Sequence, residues 1–256
     1  MKKRIYFLLA VLLVIFSIKS QNELYLKKQF IYKGDTLPYR IMYPENFDNT
    51  KKYPLVIFLH GSGERGNDNE SQLKWGSELF TKPLNRKEFP AIVLFPQCPT
   101  KANWAPINSR QNGFSYVNSK HPTEPMQLLI RLISEIKNSK IADKKRIYVM
   151  GLSMGGMGTY DLICRYPKTF AAAIPICGGV SLERLKKVRK MPIRIYHGAD
   201  DNVVSPEHSR NAYIELKANG AQNVEITIFP GVNHNSWTPC FEVEDLLSWL
   251  FSNKIK

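Results

Sequence analysis

The clearest candidate for a catalytic residue in this chain is a serine flanked by glycines. Ser153 lies in residues 151–155, which read Gly-Leu-Ser-Met-Gly, after an apolar run typical of a strand and before a pattern typical of a helix. A G-x-S-x-G segment between a strand and a helix forms a sharp turn that exposes the serine hydroxyl. We therefore predict that Ser153 is a nucleophile and not part of an ordinary glycine-rich turn.

A serine hydroxyl is a weak nucleophile unless a histidine takes its proton and a carboxylate orients that histidine. In folds that carry this motif, the acid and then the histidine follow the serine along the chain. His234 fits this order, because it lies in a loop between the last predicted strand and the last predicted helix. The other four histidines do not fit. His60 and His121 precede the serine, His197 ends a strand before any suitable acid, and His208 falls in a predicted amphipathic helix.

The acid is expected just after the strand predicted over residues 193–196. Two aspartates, Asp200 and Asp201, lie there side by side. Position along the chain does not separate them, so both remain candidates at this level.

An ester or amide hydrolase also needs N–H groups directed at the developing oxyanion, each contributing about 3 kcal/mol. One is expected from the backbone of Met154, directly after the nucleophile, and the other from the loop that follows the third strand. In that loop we predict the Ser62 amide, with Gly63 as the alternative. The loop's charged side chains are expected to rigidify it through internal ion pairs: Glu64, Arg65 and Asp68.

The elements that position these residues follow from continuous apolar runs, which are typical of strands buried on both faces. Strands are predicted over residues 29–31, 39–43, 55–59, 91–95, 146–150, 171–176, 193–196 and 224–229, and helices over 126–137, 154–165, 207–218 and 242–251. Strands that alternate with helices predict an α/β fold with a mainly parallel sheet. Residues 97–123 lack periodicity, and a loop of this length is a candidate wall of a binding cleft.

The composition limits the function classes. The 256 residues are 43% apolar and 23% charged, which excludes disordered and collagen-like chains. The net charge of +14 is spread over short basic pairs without interleaved stacking aromatics, so we predict solvated surface charge and no nucleic-acid partner.

The N-terminus has the features of a secretory signal peptide. Three basic residues precede the apolar residues 5–18, and the small residue Ser20 follows. We predict that residues 1–20 are removed, leaving a single catalytic domain over 21–256, a net charge of +10 and no stable membrane insertion. Export would place the protein outside the cell or in the periplasm.

The four cysteines form no C-x-x-C pair, which argues against a zinc ribbon or a thioredoxin-like redox site. In an exported protein they permit one or two disulfides whose pairing the sequence leaves open: Cys98, Cys164, Cys177 and Cys240. Cys164 falls in a predicted helix and is expected to be a buried free thiol.

Together these motifs resemble the α/β-hydrolase superfamily, in particular exported esterases and predicted peptidases related to dienelactone hydrolase, polyhydroxybutyrate depolymerase and feruloyl or acetyl-xylan esterases. The resemblance rests on residues 59–66, 96–99, 146–158, 170–179, 197–204 and 231–237. It implies helices on both faces of the sheet, a backbone oxyanion hole, and no metal or cofactor. It also implies a triad of Ser153, Asp201 and His234, because Asp201 occupies the fifth place of an H-G-x-x-D-x-x-V segment.

The spacing of the chain also bears on the substrate. Only 48 positions separate Ser153 from Asp201, which leaves no room for a lid domain and predicts an open cleft. Trp75, Trp104 and Trp237 are candidate walls that would favour an aromatic-flanked ester or a sugar ester, and the alternative for each is a place in the core. The sequence thus predicts a secreted serine hydrolase of small-molecule or polysaccharide-linked carboxylic esters, with a prolyl-oligopeptidase-like serine peptidase and a non-catalytic binding protein on the same scaffold as alternatives.

Overall fold

Apolar residues run without interruption through the central strands. In the computed structural model, which describes residues 22–110 and 113–256, residues 55–59 are all fully buried. Such strands belong in a sheet that is covered on both faces. The predicted signal peptide, residues 1–20, lies outside the described residues.

The strands and helices follow the predicted alternation. The described residues contain ten strands: β1 (Leu26–Tyr32), β2 (Asp35–Met42), β3 (Tyr53–Leu59), β4 (Ile92–Pro96), β5 (Ile107–Arg110), β6 (Gly113–Tyr116), β7 (Ala142–Leu152), β8 (Ala172–Ile176), β9 (Ile193–Gly198) and β10 (Val224–Phe229). The helices that pack on them are α1 (Ser77–Thr81), α2 (Pro83–Glu88), α3 (Glu124–Asn138), α4 (Met154–Arg165), α5 (Glu207–Ala218), α6 (Trp237–Phe241) and α7 (Leu246–Ser252).

Eight strands form one sheet in the order β1-β2-β4-β3-β7-β8-β9-β10. Six strands of this sheet are parallel, namely β4, β3, β7, β8, β9 and β10, while β1 and β2 form an antiparallel edge. The predicted α/β architecture with a mainly parallel sheet is therefore confirmed. In such a sheet, ligands bind at the carboxyl ends of the strands, where the loops after β3, β7, β9 and β10 meet.

Helices cover both faces of the sheet. Apolar side chains of α3, α4 and α5 pack with one face in a single buried cluster, and those of α1 and α7 pack with the other face in a second cluster. Helix α4 is buried along almost its whole length, so it forms the centre of its layer. Between Ser153 and Asp201 the fully described chain contains α4, β8, a 3₁₀ stretch and β9, and no lid domain is inserted there.

Two stretches differ from the predicted pattern. The helix expected over residues 242–251 begins only at Leu246, because Val243 and Leu246 make i to i−3 backbone hydrogen bonds that tighten the chain into turns after α6. Residues 97–123, expected to be irregular, contain the hairpin of β5 and β6. Strands of four residues are too short to show a clear alternation of apolar and polar residues.

The cysteines are all buried and free, so the disulfides that the sequence permits are not formed. The expectation that Cys164 is a buried free thiol is confirmed. Among the helices of residues 22–110 and 113–256, none is long and apolar enough to cross a bilayer.

Candidate active site

Ser153 stands at a strained turn between β7 and α4. Its backbone has φ 53° and ψ −118°, a conformation that costs an L-residue about 1–3 kcal/mol. The Ser153 N–H donates to the Ile176 carbonyl at 2.9 Å, which ties the turn to the end of β8. The surrounding sheet thus holds the serine in the sharp turn that the G-x-S-x-G motif predicts.

The glycine at the end of this motif allows α4 to approach β3. A Cβ atom on Gly155 would overlap the Leu59 carbonyl oxygen and would lie 2.8 Å from the His60 oxygen. Only a residue without a side chain fits here, and the loop after β3 is thereby brought beside Ser153.

Ser153, His234 and Asp201 form a continuous row of hydrogen bonds. The distance from His234 Nε2 to Ser153 Oγ is 2.9 Å, and that from His234 Nδ1 to Asp201 Oδ2 is 2.8 Å. In this row the proton on Nδ1 is donated to the carboxylate, so that Nε2 can accept the serine proton. The geometry allows general-base activation of the serine hydroxyl.

Four N–H groups converge on the Asp201 carboxylate. Oδ2 accepts from His234 and lies 3.1 Å from His197 Nε2, while Oδ1 accepts from the backbone amides of Val203 and Val204 at 2.9 Å each. Burial alone raises the pKa of this carboxyl group, but the hydrogen bonds from the two histidines and the two amides lower it well below its ordinary value. Asp201 is therefore a carboxylate at neutral pH.

The neighbouring aspartate does not reach the histidine. Asp200 is exposed, and its backbone N–H donates to the Val232 carbonyl at 3.0 Å. The structure thus brings Asp201, and not Asp200, to His234.

His197 was not predicted as a site residue, because it ends a strand before any suitable acid. The side chain is fully buried at the end of β9 and contacts Asp201 directly. A histidine at the end of a buried strand is a signal for such a role, because burying a polar side chain is costly unless it is hydrogen bonded.

His60 stabilises the loop after β3 from inside. Its Nε2 accepts from the Cys98 backbone N–H at 2.9 Å, so Nδ1 carries the proton and donates to the Gly61 carbonyl at 2.6 Å. Burial lowers the pKa of His60 to about 4, so the ring is neutral at neutral pH. The histidine that is too early in the chain to be the base therefore supports the loop expected to provide an oxyanion donor.

Charged side chains clamp the same loop, although not through the ion pairs expected among them. The Glu64 carboxyl is buried, which raises its pKa, and the positive charge of Lys74, together with hydrogen bonds from the Gly61 amide and the Trp75 indole, partly opposes this shift. Arg65 Nε donates to the Ser62 carbonyl at 3.0 Å. Asp68 accepts from Gln97 Nε2 at 2.8 Å instead of pairing with Arg65. The described bonds of Arg65 and Asp68 within this part of the chain thus go to a backbone carbonyl and a side-chain amide, and the two residues form no ion pair with each other.

The two predicted oxyanion donors belong to different elements, the helix that follows Ser153 and the loop after β3. Met154 is the first residue of α4, whose opening N–H groups have no partner inside the helix. Ser62 begins a 3₁₀ turn, Ser62–Glu64, and the preceding Gly61 is so close that a Cβ atom on it would lie 3.7 Å from Ser153 Cβ. The alternative donor, Gly63, is one residue further from this contact.

Of the three tryptophans predicted as cleft walls, one lies in the core and the other two lie together, with Trp237 against His234. Trp104 is fully buried, and its Nε1 donates to the His60 carbonyl at 3.3 Å, so the expectation that it lines the cleft is wrong. Packing against Gly158 draws its side chain into the core. Trp237 lies edge-on to His234 with ring centroids 5.6 Å apart, and it borders a cavity of about 210 Å³ together with Trp75.

The hairpin of β5 and β6 lies on another side of the site. Tyr116 packs with Met157 and Val204, which neighbour the nucleophile and the acid along the chain. A Cβ atom on Gly179 would overlap the Tyr116 ring, so this glycine leaves space for the hairpin to dock. This placement is consistent with residues 97–123 forming part of a cleft wall.

One cluster of three side chains that could ligate a metal occurs in the described part of the chain, and two of its members are Asp201 and His234. Ligand atoms of Cys177, Asp201 and His234 lie within 4.8 Å of one another. Burial raises the pKa of the Cys177 thiol to about 12, and the Asp201 and His234 atoms already hydrogen bond each other. Binding a metal here would require a thiolate and the loss of that hydrogen bond.

Several known proteins are similar to this chain in sequence and in structure. The phospholipase/carboxylesterase family model matches residues 47–250. The chain is 27% identical over 212 residues to a probable carboxylesterase, SOBER1-like, from Arabidopsis thaliana, covering 77% of each chain. It is 26% identical over 152 residues to a bifunctional acetylxylan esterase/xylanase from Neocallimastix patriciarum, covering 59% of this chain and 20% of that protein.

Among solved structures, a thermostable esterase superposes with a TM-score of 0.82 at 35% identity, covering 91% of this chain and 64% of the other. A ferulic acid esterase superposes with a TM-score of 0.66 at 16% identity, which shows a shared fold. The chain thus spans a fifth of the length of the bifunctional relative and just under two thirds of the thermostable esterase.

Proposed function

The chain belongs to the phospholipase/carboxylesterase family of α/β hydrolases, and we propose that it is a serine hydrolase that cleaves carboxylic esters through an acyl-enzyme. The observation that carries this proposal is the unbroken row from Ser153 Oγ through His234 to Asp201, with distances of 2.9 and 2.8 Å. The esterases among the relatives support ester hydrolysis as the reaction type.

In the proposed reaction, Ser153 Oγ attacks the ester carbonyl carbon while His234 Nε2 takes the hydroxyl proton. Asp201 keeps the proton of His234 on Nδ1 and stabilises the imidazolium that forms. The carbonyl oxygen becomes an oxyanion, which accepts from the Met154 and Ser62 amides. His234 then protonates the departing alkoxide, and the same steps with water release the acid and restore Ser153.

The substrate is proposed to be a small-molecule or polysaccharide-linked ester. Trp237 lies against His234 and borders one cavity together with Trp75, and the two rings are planar surfaces suited to an aromatic or sugar ring. The acetylxylan esterase/xylanase among the relatives is in keeping with this class.

Export is part of the same proposal. Residues 1–20 would be cleaved as a signal peptide, leaving one catalytic domain that acts outside the cell or in the periplasm. N-terminal sequencing of the protein recovered from culture medium and periplasm should give a chain that begins at Gln21. Recovery of intact Met1 from the cytoplasm alone would contradict this.

The activity is tested with 4-nitrophenyl acetate and the variant Ser153→Ala. We expect wild-type turnover and a loss of roughly 10⁴-fold or more in kcat, because the nucleophile is removed. The matched control is Ser181→Ala, since both serines are 9% exposed and Ser181 Oγ bonds only Glu183 among the described residues. Absence of wild-type hydrolysis, or equal rates in wild type and Ser153→Ala, would overturn the proposal.

The two alternative functions, a serine peptidase and a non-catalytic binding protein, predict different results with the same protein preparation. Cleavage of peptide amides at rates that rival ester turnover would indicate a peptidase. A fluorophosphonate probe that fails to label Ser153 in the folded protein would indicate a binding protein without catalysis.

A further inference from the structure

A second histidine shares the acid of the proposed triad. His197 Nε2 lies 3.1 Å from Asp201 Oδ2 and 2.8 Å from the Val204 carbonyl oxygen, and His197 Nδ1 lies 2.7 Å from Ser209 Oγ. The His197 side chain is completely inaccessible to solvent. Asp201 Oδ2 is thus placed between two imidazoles, of which only His234 reaches Ser153.

The contacts of His197 define where its proton lies. Nε2 faces two acceptors, a carboxylate and a carbonyl, so it must carry a hydrogen. Nδ1 then accepts from the Ser209 hydroxyl, which is itself fully buried. His197 is therefore a fixed N–H donor to the carboxylate oxygen that also accepts from His234.

We propose that His197 is a positioning residue that holds Asp201 Oδ2 in place and withdraws part of its negative charge from His234, so that His234 remains a neutral base at lower pH. The inference rests on the proposed serine-hydrolase function. A hydrogen bond donated to a carboxylate stabilises its charge, and this weakens the attraction of that carboxylate for a protonated partner. Without His197, Asp201 would favour the imidazolium form of His234 more strongly.

Few other ionisable groups face this pair. The Cys177 thiol lies close to Asp201 from the end of β8, and burial raises its pKa to about 12, so it is uncharged. His208, on α5, is half-buried, and burial lowers its pKa. Asp200 directly precedes Asp201 in the loop but is exposed. Within residues 22–110 and 113–256, His197 is the one residue besides His234 whose side chain hydrogen bonds the Asp201 carboxylate.

The test compares the pH dependence of kcat/KM for His197→Phe and His197→Gln with that of the wild-type protein. The acid limb of this profile reports protonation of the essential base in the free enzyme. Phe keeps a ring but donates nothing, so we expect the limb midpoint to rise by about half a unit to one unit, with the alkaline plateau lowered by no more than about tenfold. Gln can place an amide N–H where Nε2 lies, so it should restore the limb to within about 0.2 unit of wild type.

Two further variants separate this role from general loosening of the fold. His208→Gln removes a nearby histidine that does not bond Asp201, and it should leave the limb unchanged. If His197→Phe does not fold, as judged by circular dichroism and thermal unfolding, Ser209→Ala decides instead. It removes the bond that directs the His197 ring, and it should move the limb upward by a smaller amount.

The outcomes distinguish this inference from the proposed function. An inactive wild-type protein overturns the function and the inference together. An active His197→Phe variant whose limb is unmoved or shifted to lower pH overturns the inference alone, as does an unmoved limb in Ser209→Ala when His197→Phe does not fold. The inference is supported if the midpoint of the acid limb rises in His197→Phe and returns to the wild-type value in His197→Gln.

Discussion

Replacing the Asp201 carboxylate by an amide tests the hydrogen-bond geometry of the site, because it exchanges a single oxygen for an NH₂ group. In the structure this carboxylate accepts four bonds and donates none: two from His234 and His197 on Oδ2, and two from the amides of Val203 and Val204 on Oδ1. Asparagine offers one oxygen and one NH₂ group, so it can accept on one side only. Asp201→Asn must therefore lose the bonds on one side of the group.

The backbone decides which side is lost. The Val203 and Val204 amides cannot rotate, so the asparagine oxygen is expected to face them while its NH₂ group faces His234. His234 can then keep a bond only by accepting at Nδ1, which moves its proton to Nε2. In that tautomer Nε2 donates to Ser153 and cannot take its proton, and we expect kcat to fall by about 10⁴-fold, or about 5 kcal/mol.

The assay is steady-state hydrolysis of 4-nitrophenyl acetate by Asp201→Asn, with Asp200→Asn as the matched control. Asp200 is exposed, and the backbone bond to the Val232 carbonyl persists in the variant, so its kcat should stay within about threefold of wild type. An Asp201→Asn protein that retains kcat within tenfold of wild type would refute the reasoning. So would an equal loss in both variants.

Three further outcomes follow from the packing and the buried groups. Burial lowers the pKa of His60 from 6.5 to about 4, so between these pH values the unfolded chain binds a proton there that the folded chain does not. The contribution of His60 to the free energy of unfolding should therefore be complete above pH 6.5 and fall by about 3 kcal/mol toward pH 4. Urea titrations at several pH values should show this slope, and His60→Gln should flatten it. Gly155→Ala should lower the free energy of unfolding by about 3 kcal/mol, because the methyl group overlaps the Leu59 carbonyl, whereas Gly63→Ala, with open space around its Cβ position, should unfold at nearly the same urea concentration as wild type. Trp237→Ala should raise KM for an aryl ester about tenfold and for methyl acetate much less, and equal effects on both esters would exclude a ring-binding role.

Local patterns were sufficient for the main elements of the fold. The apolar runs predict the buried strands, since a strand covered on both faces needs apolar residues at consecutive positions. The start of α7 and the β5–β6 hairpin were not predictable, because they depend on turns and short pairings that leave little periodicity. Trp104 shows a further limit: its type suits a cleft wall as well as a core, and its packing against Gly158 draws it into the core.

The sequence by itself determined the nucleophile candidate, the order of the acid and the base, and the mainly parallel sheet that carries them. These features are local or depend on order along the chain, and a motif such as G-x-S-x-G contains its own backbone requirement. Chain order did not separate Asp200 from Asp201, the resemblance pointed to Asp201, and the tertiary structure brings Asp201 to His234. Only the tertiary structure decided that His197 shares the Asp201 carboxylate. Two adjacent residues of a loop have the same local pattern around them. The direction of each side chain depends on hydrogen bonds with residues that are distant along the chain.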